Sequence, residues 1–389
     1  MGDKTKITWV QNEDGTPGHT FNPVWGCTKV SPGCDHCYAE SMSNRFGKWW
    51  GQGTPRREFG DKHWNDPLRW NRKAEKTGIR HRVFCASMAD VFDKDWPDGT
   101  RERLWALIKA TPWLDWIIVT KRIGNAKKML PANWGDGYPN VWLLITVVNQ
   151  EEAARDVPKL LDTPAMLRGL SIEPQIESID LTDLETTTVG VMHHQDALNG
   201  NTFWPSFDEH GKTGGRDFMR TDKQGLNWVI CGAESGPCRR SFNEDWARSL
   251  RDQCCESEVP FFLKQMPGGN TRKGVIETPE LDGQQWVQLP RSDTPNIAMS
   301  DLPRLKIGEV NIGEMAADWF IAFIRDGQGI DYLLGTVLPD IKTITDEAVS
   351  AERKRCAEIA RNHKTFAIGE GGDVADAIMS VQTDTKTED

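Results

Sequence analysis

Short apolar runs recur along the first 300 residues, each followed by polar residues and then by a stretch of helical periodicity. The runs occupy 83–86, 116–119, 141–145, 167–170, 228–231 and 260–263. They are bounded by polar residues and too short for buried helices, so they read as strands covered on both faces. Between them, 100–110 (TRERLWALIKA) spaces its apolar residues as a helix does, and 149–161 and 243–255 do the same, with Asn243 placed as an N-cap. Alternating strands and helices imply right-handed βαβ units and a parallel sheet. With one more strand near the N-terminus, the pattern predicts an α/β fold: a partial TIM-like barrel of the (β/α)6 type, six or more parallel strands, over residues 1–300.

The one long interval between runs holds an insertion at about 186–224, rich in Gly, Asp and Asn and carrying His193, His194 and His210. A polar surface excursion is the expectation there. After about residue 300 the alternation stops. Residues 313–325 and 346–362 have helical patterning and 383–389 form a polar tail, so 301–389 reads as an appended helical segment.

In parallel barrels, ligands sit at the carboxyl ends of the strands. Here those ends are polar: Ser87 and Asp90 after the first run, Thr120, Lys121 and Arg122 after the second, Thr146 and Asn149 after the third, Ser171 and Glu173 after the fourth, then Glu234 and Ser235, then Lys264 and Gln265. Any one of them can be a helix cap or a surface residue. All six ends together point to a shared ligand. Glu173 and Glu234 are the sharpest cases, because a carboxylate beside an apolar run is costly unless it is paired or binds something.

The chain of 389 residues carries a net charge of −10, which argues against a general nucleic-acid binder. The charge is uneven, however. Between Arg45 and Arg82 eleven Lys/Arg face four acids, and Trp49, Trp50, Trp64 and Trp70 are interleaved with them. Arg56, Arg57, Lys62, Arg69, Trp70 and Arg72 are the candidates for a groove that tracks phosphates and stacks bases. The alternative is a solvated loop whose tryptophans pack onto the domain. No secretory signal or membrane-length apolar run is visible, so the expectation is a cytoplasmic protein with no membrane partner.

Nine cysteines are present, and only Cys27, Cys34 and Cys37 cluster, as C-x6-C-x2-C. Pro32 and Gly33 fit a tight turn between them. Cys85, Cys231, Cys238, Cys254, Cys255 and Cys356 read as buried structural thiols. Three thiolates make an incomplete soft-metal site. A structural zinc needs a fourth ligand, for which His19 is available, while His36 lies between two of the cysteines and points elsewhere. Spacing alone leaves zinc and an iron–sulfur cluster equally open.

The run from Asn22 (NPVWGC) through SPGCDHCYAE to Glu40, together with ASMADVF at 86–92, SIEP at 171–174, VICGAESG at 229–236 and FFLKQ at 261–265, resembles a divergent, phage-encoded three-cysteine branch of the radical SAM superfamily. The resemblance spans about residues 5–290, with the 186–224 insertion and the C-terminal segment outside it. The first gap is longer than the superfamily's usual C-x3-C-x2-C. It implies a [4Fe–4S] cluster held by Cys27, Cys34 and Cys37, with one iron left to S-adenosylmethionine, which is cleaved to a 5′-deoxyadenosyl radical that abstracts hydrogen from substrate. Ser87, Asp90, Thr146, Asn149, Ser171 and Glu173 would bind S-adenosylmethionine, and Lys121, Glu234 and Lys264 would serve catalysis. The implied substrate is a base or base substituent in phage DNA, with isomerisation of a hypermodified thymidine as the leading reading. The implied partner is a reductant protein. The competing reading is a zinc-stabilised nucleic-acid-binding protein without catalysis.

Overall fold

A computed structural model describes residues 4–188, 191–207, 213–219, 224–269 and 274–290, all within the unit Met1–Ala298. The expected appended segment 301–389 and Cys356 lie outside the described residues.

The strands in chain order are β1 (His19–Phe21), β2 (Val24–Trp25), β3 (Arg57–Glu58), β4 (His81–Cys85), β5 (Leu114–Thr120), β6 (Val141–Ile145), β7 (Leu167–Ile172), β8 (Leu184–Thr188), β9 (Val191–Asp196), β10 (Asn201–Phe207), β11 (Thr213–Met219), β12 (Trp228–Gly232), β13 (Phe261–Pro267), β14 (Val275–Glu277), β15 (Glu280–Leu281) and β16 (Gln284–Gln285). The helices are α1 (Tyr38–Phe46), α2 (Asp61–Trp64), α3 (Asp66–Thr77), α4 (Thr100–Lys109), α5 (Ile123–Met129), α6 (Gln150–Leu161) and α7 (Glu244–Glu256). The main sheet has eight strands in the order β1-β4-β5-β6-β7-β12-β13-β14 and curls into a half-barrel. Every ladder from β1 to β13 is parallel, and β14 closes the edge antiparallel to β13.

All six predicted runs are strands of this sheet, and the N-terminal strand is β1. Several are longer than their apolar run. β4 begins at His81 and Arg82, both buried, which periodicity could not place in a core. Along the strands successive side chains serve two apolar layers. Trp116, Ile118, Leu143, Ile145, Leu170, Val229 and Phe261 pack with Leu104 and Ile108 of α4, Val157 and Leu160 of α6 and Leu250 of α7. Ile117, Trp142, Leu144, Ile230 and Phe262 face the other way, onto Trp9 and Val10.

The predicted helices carry their caps. The Asn149 side chain accepts from Glu152 N at 2.9 Å and begins α6, and Asn243 accepts from Asp245 N at 3.0 Å and begins α7. The insertion is more ordered than a polar excursion: β8–β11 form a separate four-stranded antiparallel sheet. His193 in it is buried, and His194 Nδ1 lies 2.6 Å from Asp183 Oδ1. Its third histidine, His210, lies outside the described residues. The basic segment is not an open loop either. Its second half forms α2 and α3, the latter with Pro67 in its first turn and left-handed Gly78 ending it.

Candidate functional site

The loop carrying the three cysteines leaves β2 and ends in α1, at the carboxyl edge of the sheet. Gly26 starts it with φ +120°, and a Cβ there would lie 2.2 Å from Trp49 O, so only glycine fits this close approach. Pro32–Cys34 form a single 3-10 turn, closed by Ser31 Oγ accepting from Gly33 N at 3.0 Å. That turn is pressed onto the ends of β5 and β6: a Cβ on Gly33 would meet Val148 Cγ1 at 2.7 Å and Lys121 Cε at 3.4 Å. Cys37 is the N-cap residue of α1, and the Tyr38 hydroxyl donates to Ser87 O beyond β4 at 2.8 Å.

Arginines beyond β5 and β12 fasten the loop. Arg122, past β5, places Nη1 3.2 Å from Cys27 Sγ and donates Nη2 to Thr28 O at 2.7 Å. Asp90 aims it, accepting from Arg122 Nη1 (3.2 Å), Lys121 N (3.0 Å), Thr120 Oγ1 (2.7 Å) and Phe92 N (3.0 Å). At the other end Arg240 donates to Pro32 O at 3.0 Å and forks onto Glu234, with Nε to Oε2 at 3.0 Å and Nη2 to Oε1 at 2.7 Å. His36 Nδ1 lies 3.0 Å from the same Glu234 Oε2. Burial alone would raise the Glu234 carboxyl; the bonds from Arg240 and His36 outweigh it and hold the group below the usual carboxylate range.

The three cysteines are half-buried free thiols. Burial pushes the Cys27 thiol up to about 12, with Asp90 adding to the effect and Arg122 opposing it. Burial also raises Cys37, against the pull of the Glu40 and Ala39 N–H groups and of Lys121. Such thiols lose their protons to a soft metal more readily than to water. Among the described residues, no three His, Cys, Asp or Glu side chains converge tightly enough to hold a single metal ion. His19, the expected source of a fourth zinc ligand, is buried, stacked on Trp70 at 4.2 Å and 3.1 Å from His81 Nδ1. His36 is engaged by Glu234. Three thiols are soft donors of the kind both centres use: a cluster takes each thiolate on a separate iron, and a lone zinc draws four ligands onto one centre.

The other strand-end residues divide. Ser87 is bonded to the Asn22 side chain at 3.0 Å and stands against the start of the cysteine loop. Thr146 and Ser171 are buried at the ends of β6 and β7. Glu173 receives Lys264 Nζ, so two candidates from different strands form one ion pair. Gly232 leaves space beside it: a Cβ there would be 3.4 Å from both Glu173 Cγ and Gln265 Cγ. Asn149 serves as a helix cap, and both oxygens of Asp90 are engaged within the protein.

Residues 4–290 match the model of the DUF5131 family, described as a protein of unknown function. The chain belongs to the DUF5131 family. No curated protein and no solved structure matches it. In this DUF5131 chain the matched span includes every described residue, so the insertion sheet, the cysteine loop and both arginine clamps are all inside it.

The nucleic-acid candidates are partly corrected. Arg56 is a buried strut with no exposed side-chain surface: it pairs with Asp93 at 2.8 Å and Asp95 at 3.1 Å, and donates to Thr28 Oγ1, Gly51 O and Thr54 O. A guanidinium consumed in this way has no donor left for a phosphate. Trp70 is a core residue beneath His19 and cannot stack a base. Arg57 lies 4.8–5.0 Å from the ring centres of Trp25, Trp49 and Phe59. Lys62, Arg69 and Arg72 remain exposed on α2 and α3. Cys238 and Cys255 are also exposed, against the expectation of burial, whereas Cys85, Cys231 and Cys254 are buried. Arg240 and His36 were missed as site residues. Arg240 lies in a polar stretch with no periodic signal, and its partners Pro32 and Asp35 are about 200 positions away.

Proposed function

We propose that this DUF5131 protein is a radical SAM enzyme acting on a base or base substituent in DNA. One observation carries the reading. Three free thiols with no fourth protein ligand among the described residues lie on a loop that touches the carboxyl ends of β4, β5, β6 and β12 at once. Cys27, Cys34 and Cys37 would hold a [4Fe–4S] cluster. With S-adenosylmethionine bound, that cluster supplies one-electron chemistry that ends in hydrogen abstraction from the substrate.

The protein's own groups bind and orient. Ser87, Thr146, Ser171 and Glu173 surround the ligand position at the strand ends. The Lys264–Glu173 ion pair offers a carboxylate to an amino group and an ammonium to a carboxylate, as an amino-acid ligand requires. Lys121, beside Cys37, places a cation where substrate or ligand charge would fall. Lys62, Arg69 and Arg72 form the exposed basic face that meets DNA phosphates, and isomerisation of a hypermodified thymidine is the reaction favoured. A reductant protein supplies the electron.

The test is protein purified without oxygen and assayed for iron, sulfide and zinc, then for 5′-deoxyadenosine after addition of S-adenosylmethionine and dithionite. The expected result is about four irons and four sulfides per chain, with nucleoside product. A colourless protein with one zinc and no 5′-deoxyadenosine overturns the reading in favour of a zinc-stabilised DNA-binding protein.

A further inference from the structure

The three thiols are unequal in their surroundings. Cys27 has a guanidinium against its sulfur, with Arg122 Nη1 at 3.2 Å. Arg122 is not a passing surface contact. Its side chain is 9% exposed, and it is locked from three directions: by Asp90 Oδ2 at 3.2 Å, by Thr28 O at 2.7 Å, and by its own backbone N donating to Thr120 Oγ1 at 2.8 Å. Asp90 in turn is 7% exposed and bonded to Thr120, Lys121 N and Phe92 N, so the aim of the guanidinium is set from the end of β5, with Thr28 O of the cysteine loop holding its other nitrogen.

We infer that Arg122 is a positioning residue that donates a charged hydrogen bond to the Cys27 sulfur and thereby sets the reduction potential of the metal centre. The inference rests on the cluster reading above. Hydrogen bonds to cluster sulfurs, net charge and solvent exposure are what set iron–sulfur potentials. A buried cation beside one thiolate stabilises the reduced, more negative state more than the oxidised one, because the added electron increases the charge it faces. Removal of the guanidinium should therefore make the cluster harder to reduce. Asp90 moderates the effect, since it neutralises part of the arginine's charge while fixing its direction.

The experiment is a redox titration of anaerobically reconstituted full-length protein, followed by electron paramagnetic resonance of the reduced cluster. Wild type, Arg122→Met and Arg122→Lys are compared, with iron content and thermal unfolding measured on each. The expected result is a lower midpoint potential in R122M, an intermediate one in R122K, and a changed g-anisotropy in both, because one sulfur of three no longer has its guanidinium donor. Equal potentials in wild type and a loaded R122M overturn the inference and leave the cluster reading standing. If R122M folds but takes up no iron, R122K decides: a potential below that of wild type supports the role, and a wild-type potential or failure to load overturns it. A wild type that binds no iron overturns the inference together with the cluster reading.

Discussion

Replacing Arg56 by Met tests whether the basic segment is built for structure or for DNA. Arg56 has no exposed side-chain surface and Asp93 has 2%. Nε donates to Asp93 at 3.0 Å, Nη2 to Asp95 at 3.1 Å and to Thr28 Oγ1 at 2.9 Å, and Nη1 to Gly51 O at 3.0 Å and Thr54 O at 3.1 Å. Methionine fills much of the volume but removes every donor, stranding a buried carboxylate and two carbonyls. Breaking one partner out of a buried pair costs roughly 3–5 kcal/mol. At ~2–4 °C of Tm per kcal/mol for a unit of this size, the melting temperature should fall by about 6–20 °C. Calorimetry of the metal-free protein reads this directly. A double-mutant cycle with Asp93→Asn should show coupling of about 0.5–3 kcal/mol, because a neutral amide in place of the carboxylate no longer needs the cation. A Tm change in R56M of less than about 2 °C, or strict additivity in the cycle, would refute the strut and return Arg56 to the DNA-binding set.

Three further outcomes follow from the same geometry. N149A should cost about 1 kcal/mol through removal of the α6 cap, with N149D recovering most of it, while S-adenosylmethionine affinity measured by calorimetry stays unchanged. Changing Lys62, Arg69 and Arg72 together to Ser should weaken DNA binding and reduce the slope of log K against log salt by about 2.7, roughly 0.9 for each phosphate left without its cation; an unchanged slope removes this face from the interface. Burial, aided by the nearby Lys73 charge, lowers the His81 pKa below its ordinary 6.5. The unfolded chain therefore takes up that proton first, and stability should fall as pH drops below about 6.5. His81→Gln should flatten the Tm profile between pH 7.5 and 5.5.

The hydrophobic spacing carried the six core strands, the helices at 100–110, 149–161 and 243–255, and the polar carboxyl edge. These depend on local periodicity, which survives without any long-range contact. The three cysteines were legible for the same reason, since thiols carried on one turn are close in sequence. Charge gave less. Arg56 and Arg72 are both arginines in one basic run, yet one is a buried strut and the other an exposed side chain, and only Asp93 and Asp95 folding back from nearly 40 positions away separates them. Trp70 joined the core because His19 stacks on it, which composition does not record.

By itself, then, the sequence determined an α/β half-barrel with a soft-donor loop at the carboxyl edge of its strands, because strand burial and loop spacing are written within a few residues of each other. Only the tertiary structure decided which groups address that loop. It brought Arg122 to Cys27 across 95 positions and Arg240 to Pro32 across 208, and it withdrew His19 from any metal. Directed hydrogen bonds of this kind depend on where β5 and β12 end relative to the cysteine turn, and that distance exists only once the sheet has curled.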